Sequence, residues 1–503
     1  MSEFVRKKSY EKWFTKNYLK KDLKSQSVRG GFNTISGQLI SFALTISSTA
    51  ILGRLLTPKD YGLVAMVTAI TGFISIFKDL GLSTAVIQKD EIDQPQVSAL
   101  FWMNILISSV IALVIAAIGP LLVYFYHEER LFYITIVFSV SVLFTGFSLQ
   151  HNALMNRQMK FKNLSFISII STTASIAIAI LMAYNNWGYW AIVASMILTP
   201  VFSTILLWMY CDWRPDFVFR DYNIRSYIKF GAGITGFDLI NYFSRNVDNV
   251  LIGKFIGPQA LGLYSKAYAL LLLPITQLRT PLNSVALPAL STLQKEKAKF
   301  KEFYEKYVLI LSFFSMPVVV YLAVFSKEII QIVLGDQWIA ASKIFQLLAI
   351  SSFIQPVSGT KGVVMISTGE TKKYFIFGIV NAVFIICSFI IGLNWGIEGI
   401  AVSYAIANYL ILYPSLKYAF GGTDITVAAF FKTISFPVVF SFIAGMAMFA
   451  FRYYLQYWSP FALLICGIFI CGTVYLTLWN SSAKSRKKFK EVYQLKNTFF
   501  NKK

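Results

Sequence analysis

The sequence predicts an all-α polytopic membrane protein with about 14 transmembrane helices. Four observations carry this. Of the 503 residues, 56% are hydrophobic and only 14% charged, whereas soluble domains carry about 25% charged residues. Mean hydropathy is +0.60. Apolar runs of about 18 residues or more recur along the whole chain, each long enough to cross a bilayer as a helix. An aromatic content of 16% suits Trp and Tyr at two membrane interfaces.

The elements follow in order. Residues 1–31 form a basic tail in which Tyr10, Trp13, Phe14 and Tyr18 share one helical face. Residues 32–210 hold six expected spans, 211–228 a linker, 229–420 six more spans and 421–480 two additional ones. A second basic tail follows at 481–503, with Phe489, Val492 and Tyr493 among its lysines. Both tails have the make-up of cytoplasmic amphipathic helices lying near anionic lipid, with a solvated charged tail as the alternative.

Net charge is +22, which in a soluble chain would raise nucleic acid as a partner. Here the basic residues gather in alternate loops, as positive-inside topology requires, and no nucleic-acid partner is expected. Arg157, Lys160, Lys162, the run Lys295, Lys297, Lys299 and Lys301, and both tails fall on one side. The turns at Asn185-Asn186 and Asn394 carry no basic residue. Placed on the cytoplasmic side, both termini are inside a cytoplasmic (inner) membrane.

The chain repeats itself. Gly53-Arg54-Leu55-Leu56-Thr57-Pro58, followed by Gly62-Leu63, returns 200 residues later as Gly253-Lys254-Phe255-Ile256-Gly257-Pro258, followed by Gly262-Leu263. Trp187-Gly188 returns as Trp395-Gly396, with Ala191-Ile192 echoed by Gly399-Ile400. Six spans per repeat is an even number, so both repeats enter the membrane in the same direction. That predicts two parallel six-helix repeats around a central cavity.

Polar stripes run along two of the spans. In the first span Thr34, Gln38, Ser41, Thr45 and Ser48 recur at helical spacing. The seventh span carries Ile234, Asp238, Asn241, Arg245 and Asp248 at the corresponding positions. Three central charges cost roughly 9 kcal/mol on the insertion scale, more than the span's apolar residues return, so the stripe must face protein or water. Arg245 could simply pair with Asp248 at i, i+3. The alternative is a substrate- or ion-contacting wall. Lys361, beside Pro356 and Gly359, is a second intramembrane cation; it binds an anion, balances the stripe or snorkels.

Other signals are discounted. Gly231-x-Gly233-x-x-Gly236 opens a membrane helix without the preceding strand that a dinucleotide fingerprint needs. His127 and His151 are isolated polar residues. Cys211, Cys387, Cys466 and Cys471 lack metal or redox spacing. There is no metal-ligand cluster, Walker motif or nucleophile elbow, so neither a cofactor nor a catalytic site is expected.

The stretch from Leu52 to Leu63, its echo from Leu251 to Tyr264, the run Phe77-Lys78-Asp79-Leu80-Gly81-Leu82 and the stretch Arg157 to Phe166 resemble bacterial polysaccharide-export and lipid-linked oligosaccharide flippases. These belong to the multidrug/oligosaccharidyl-lipid/polysaccharide exporter superfamily. The resemblance spans roughly Gly30 to Trp479. It implies two six-helix bundles that rock around a central cavity, with two additional helices. It also implies translocation of a polyprenyl-diphosphate-linked oligosaccharide for cell-surface polysaccharide export, with membrane lipids as partners and polysaccharide assembly proteins as further candidates. Arg245 and Lys361 are then the cations for the diphosphate, with Gln38 and Asn241 as neutral contacts and Asp238 and Asp248 for ion coupling. A cation-coupled multidrug exporter of the same superfamily is the rival reading. A membrane glycosyltransferase or polymerase is a more distant one, disfavoured by the short outside loops.

Overall fold

Helix after helix is joined by short turns, and no strand occurs among the described residues. The computed structural model describes residues 13–14, 23–79, 81–89, 91–217, 242 and 246–500. Two compact units divide the chain, Met1–Gly262 and Leu263–Lys503. Among the described residues, eleven helical stretches are long and apolar enough to span a membrane. Of the other three expected spans, the seventh lies mostly outside the described residues. The eighth is helical and carries Pro274, and the tenth is broken in two.

The first unit contains α1 (Leu23–Leu55), α2 (Pro58–Ser75), α3 (Leu82–Gln88), α4 (Gln94–Tyr126), α5 (Arg130–Arg157), α6 (Phe161–Tyr184) and α7 (Tyr189–Tyr210). A further helix, α8, covers 246–255. The sequence places each break. Thr57 and Asp60 form a capping box with Pro58 in the first turn of α2. Asp93 caps α4 ahead of Pro95. Gly188 stands at φ 54° before α7, a left-handed conformation that Gly adopts without steric cost.

These helices are apolar outward and small or polar inward, as lipid demands. On α4, Leu106, Leu113 and Leu121 are 60–71% exposed, while Asn104, Ser108 and Gly119 face protein. Helix contacts use small residues. A Cβ added at Gly146 would stand 2.6 Å from the Ser108 hydroxyl.

The loops of this unit sort into two sets. In one, the Lys254 ammonium donates to the Phe125 carbonyl, Glu128 pairs with Arg130 at 2.7 Å, and Arg130 sits over the Tyr189 ring. In the other, buried Arg157 donates to the carbonyls of Val86, Lys89 and Phe14, and Gln158 donates to the Trp13 carbonyl. Lys160 lies 3.8 Å over the Trp13 ring. Trp13 and Phe14, expected on a lipid-facing surface, are buried in a cluster with Leu82, Phe101, Leu154 and Trp213. The rest of that N-terminal face, Tyr10 and Tyr18, lies outside the described residues.

The two copies of the Gly-Pro echo meet within the first unit. α9 (Pro258–Leu293) begins there. A Cβ at Gly62 would overlap the Pro258 carbonyl, and a Cβ at Gly262 would overlap the Pro58 carbonyl. The contact is reciprocal, and each glycine exists because the other helix's backbone occupies its side-chain space.

The second unit continues α9 and adds α10 (Lys297–Val324), α11 (Ser326–Val333), α12 (Ala341–Ser358), α13 (Thr360–Ser367), α14 (Thr371–Leu393), α15 (Gly396–Leu410) and α16 (Leu412–Phe420). It ends with α17 (Val427–Tyr454), α18 (Pro460–Ser481) and α19 (Ala483–Phe500). Pro274, Pro281 and Pro288 lie inside α9, each removing a backbone donor. The expected basic C-terminal tail is α19, and its Phe489 packs on Phe313 and Trp479.

Candidate substrate-binding site

Of the residues singled out in sequence, Asp238, Asn241 and Arg245 lie outside the described residues. Gln38 is on α1 and exposed. Asp248, on α8, is 3% exposed and accepts the Asn249 amide at 2.8 Å. Lys361, on α13, is described in full, and the site is built around it.

The tenth span reads as one apolar run but folds as two helices. α12 carries Pro356 near its end and gives way to α13 at Gly359. The break sets Lys361 in the first turn of α13, inside the second unit, with 8% of its surface exposed. Its ammonium donates to Ser358 Oγ at 3.1 Å and to Ser415 Oγ of α16 at 2.9 Å. It also sits 4.8 Å over the Phe377 ring of α14. Among the described residues no carboxylate lies within ion-pairing distance. Two hydroxyls and an aromatic face solvate the charge but do not neutralise it.

A second cation reaches the same break. The guanidinium of Arg279, from α9, lies so close to Gly359 that a Cβ there would stand 2.6 Å from a guanidinium nitrogen. The glycine is thus the room that Arg279 occupies. Tyr304 bonds to Thr360 Oγ1 at 2.8 Å, and the Tyr307 hydroxyl donates to Asn283. Lys361 supplies a compact charge and Arg279 a planar fork of donors. Lys361 among neutral hydroxyls, with a second cation at the same break, suits a phosphate-bearing anion.

Arg279 was legible and was passed over. It sits within the expected eighth span, and a charge inside an apolar run is the same signal that picks out Arg245 and Lys361. Its nearness to Gly359 was not legible, because the two residues are 80 positions apart in the sequence.

A model described as polysaccharide biosynthesis protein matches residues 51–343, more than half of the chain. The chain belongs to that family. The matched stretch holds both copies of the Gly-Pro echo and Arg279, and it stops before Lys361. Among curated relatives, the teichuronic acid biosynthesis protein TuaB of Bacillus subtilis is 27% identical over 340 residues, covering 67% of this chain and 69% of that protein. The succinoglycan biosynthesis transport protein ExoT of Rhizobium meliloti is 22% identical over 344 residues, covering 68% and 69%. Among solved structures, the lipid II flippase MurJ in an inward closed conformation superposes with a TM-score of 0.71 at 16% identity, covering 90% of this chain and 99% of that one. This member of the polysaccharide biosynthesis protein family therefore has the MurJ fold.

Proposed function

We propose that the chain is a flippase that carries a polyprenyl-diphosphate-linked oligosaccharide across the cytoplasmic membrane by alternating access, for export of a cell-surface polysaccharide. The observation that carries this is the buried Lys361 ammonium, un-neutralised among the described residues, at a helix break shared with Arg279. A buried charge of this kind is costly, and a mobile anion removes the cost when it binds. Family membership and relatives named for polysaccharide biosynthesis and transport support the substrate class. The repeats at 32–210 and 229–420 are the two bodies that rock. Both termini are cytoplasmic. Arg245, Gln38 and Asn241 extend the substrate contacts, and Asp238 and Asp248 serve ion coupling.

The test is flipping of a fluorescent undecaprenyl-diphosphate saccharide in proteoliposomes, read by its accessibility to a membrane-impermeant quencher. Lys361→Gln should slow flipping by roughly 10–100-fold, the factor given by one charged hydrogen bond of about 1.5–3 kcal/mol. Lys361→Arg should keep most of the rate. A wild-type rate in folded Lys361→Gln would remove the residue from the mechanism, and an inactive wild-type protein would remove the substrate class.

A further inference from the structure

Each unit has an apolar groove on its outer surface, and each groove runs along the sixth span of its repeat. One, of about 430 Å³, runs between α5 and α7 and is lined by Thr204, Ile205, Trp208 and Met209 of α7. The other, of about 370 Å³, runs beside α15 and is lined by Ala405, Ile406, Tyr409 and Leu410. The two sets of four have the same spacing and lie 201 residues apart, two helical turns from the 208-residue register of Trp187 and Trp395, so they use the same helix face at a different depth. Their floors are alike as well. The Trp208 indole N–H donates to the Phe147 carbonyl of α5 at 3.0 Å, and the Tyr409 hydroxyl donates to the Ile350 carbonyl of α12 at 3.0 Å. In each groove an aromatic residue is pinned flat by its polar atom, leaving an apolar channel. Ile205 and Met209 are 49% and 67% exposed, and Ile406 and Leu410 are 54% and 64% exposed. On a membrane span such exposure means lipid contact.

The grooves differ in one respect. Arg214 lines the first, and among the described residues no basic one lines the second. The Arg214 guanidinium donates to the carbonyls of Cys211 and Trp213 at 2.7 Å and of Trp208 at 2.9 Å, and lies 5.2 Å from the Trp208 ring centre. These partners are neutral, and among the described residues no carboxylate pairs with it. A guanidinium has five N–H donors, so two remain for a ligand.

We propose that the α5–α7 groove is a specific site for an anionic glycerophospholipid, with one acyl chain along Ile205 and Trp208 and the phosphate on Arg214. The groove of the second unit takes acyl chains without headgroup preference. The site is separate from the one around Lys361 and stands whether or not the chain is a flippase.

Native mass spectrometry of the purified, delipidated full-length protein, titrated with phosphatidylglycerol or phosphatidylcholine, tests this. The wild type should bind one phosphatidylglycerol about fivefold more tightly than phosphatidylcholine, the factor that one basic residue contributes near anionic lipid. Arg214→Gln should lose that preference and Arg214→Lys should keep it. Ile205→Trp, which fills the groove from its exposed side, should lose the bound lipid of either kind. Ile406→Trp should leave the preference unchanged. An unchanged preference in Arg214→Gln, or a retained lipid in Ile205→Trp, overturns the proposal. So does displacement of phosphatidylglycerol by an equal concentration of undecaprenyl phosphate, which would make the groove an isoprenyl site.

Discussion

Arg157 ties three separate carbonyls together from a position only 3% exposed. Removing it would leave those acceptors buried and unpaired, which costs about 1–3 kcal/mol for each group left so. Arg157→Ala should therefore lower the thermal unfolding midpoint of the purified protein and expose the Trp13 region to limited proteolysis; unchanged cleavage would show that the N-terminal contact does not depend on it. A smaller effect belongs to Glu128. Hydrogen bonds from Arg130 hold its carboxyl below the usual carboxylate range. A depressed folded-state value adds stability that is present above the unfolded pKa and lost as pH falls through the folded one. The pair is partly exposed, with side chains 36% and 21% accessible, so it contributes less than about 1 kcal/mol. The wild-type advantage over Arg130→Gln in unfolding midpoint should shrink as the pH is lowered from neutral through the carboxylate range. At this scale the sequence exposed charges but not their neighbours. Lys361 stood out as a charge in an apolar run, while Ser415 and Phe377, which hold it, did not. Arg157 appeared only as one more basic residue in a loop.

The chemistry that starts a helix is local, although the span count by length passed over it. Thr57, Pro58 and Asp60 lie within four residues, and the capping box is complete. Thr57→Ala should cost about 1 kcal/mol, measured by thermal unfolding in detergent. The break at Gly359 was less readable. A length rule counts apolar residues, and 341–366 passes it as one span. Pro356 lies in the last turn of α12, and beside Gly359 the space is taken by a guanidinium from a different helix. The reciprocal crossing of α2 and α9 is also non-local. Gly62→Ala or Gly262→Ala should each destabilise by about 1–3 kcal/mol through overpacking. The double substitution should cost less than the two together, because helices already forced apart make room for both methyl groups. Strict additivity in a thermal-shift cycle would show that the two contacts are independent.

At the scale of the whole chain the sequence carries an expectation of topology. Alternation of basic and uncharged loops was visible as composition, and within the first unit the loops sort into two separate sets joined by their own contacts. In a background without Cys211, Cys387, Cys466 and Cys471, a cysteine at Asn186 should react with an impermeant maleimide from outside. One at Lys297 should react only after permeabilisation. Labelling of both from one side would break the parallel-repeat scheme, because it requires an odd change in the number of crossings between them. The repeat was legible for a physical reason. Its surviving echoes sit at helix starts and tight turns, where Gly and Pro have few substitutes. The polar stripe of the seventh span was equally legible, but Asp238, Asn241 and Arg245 lie outside the described residues.

The crossing of Gly62 with Gly262 has a consequence for how the chain can change over generations. After a duplication, two copies of a segment normally drift independently. These two cannot, because each copy is the mould in which the other is cast. What intrudes on each glycine is main chain, which no substitution can trim. A larger residue in one copy therefore has no remedy in the other. The likeness between the halves is kept at this point by contact as well as by ancestry, and relatives that lose one of these glycines should have lost the other.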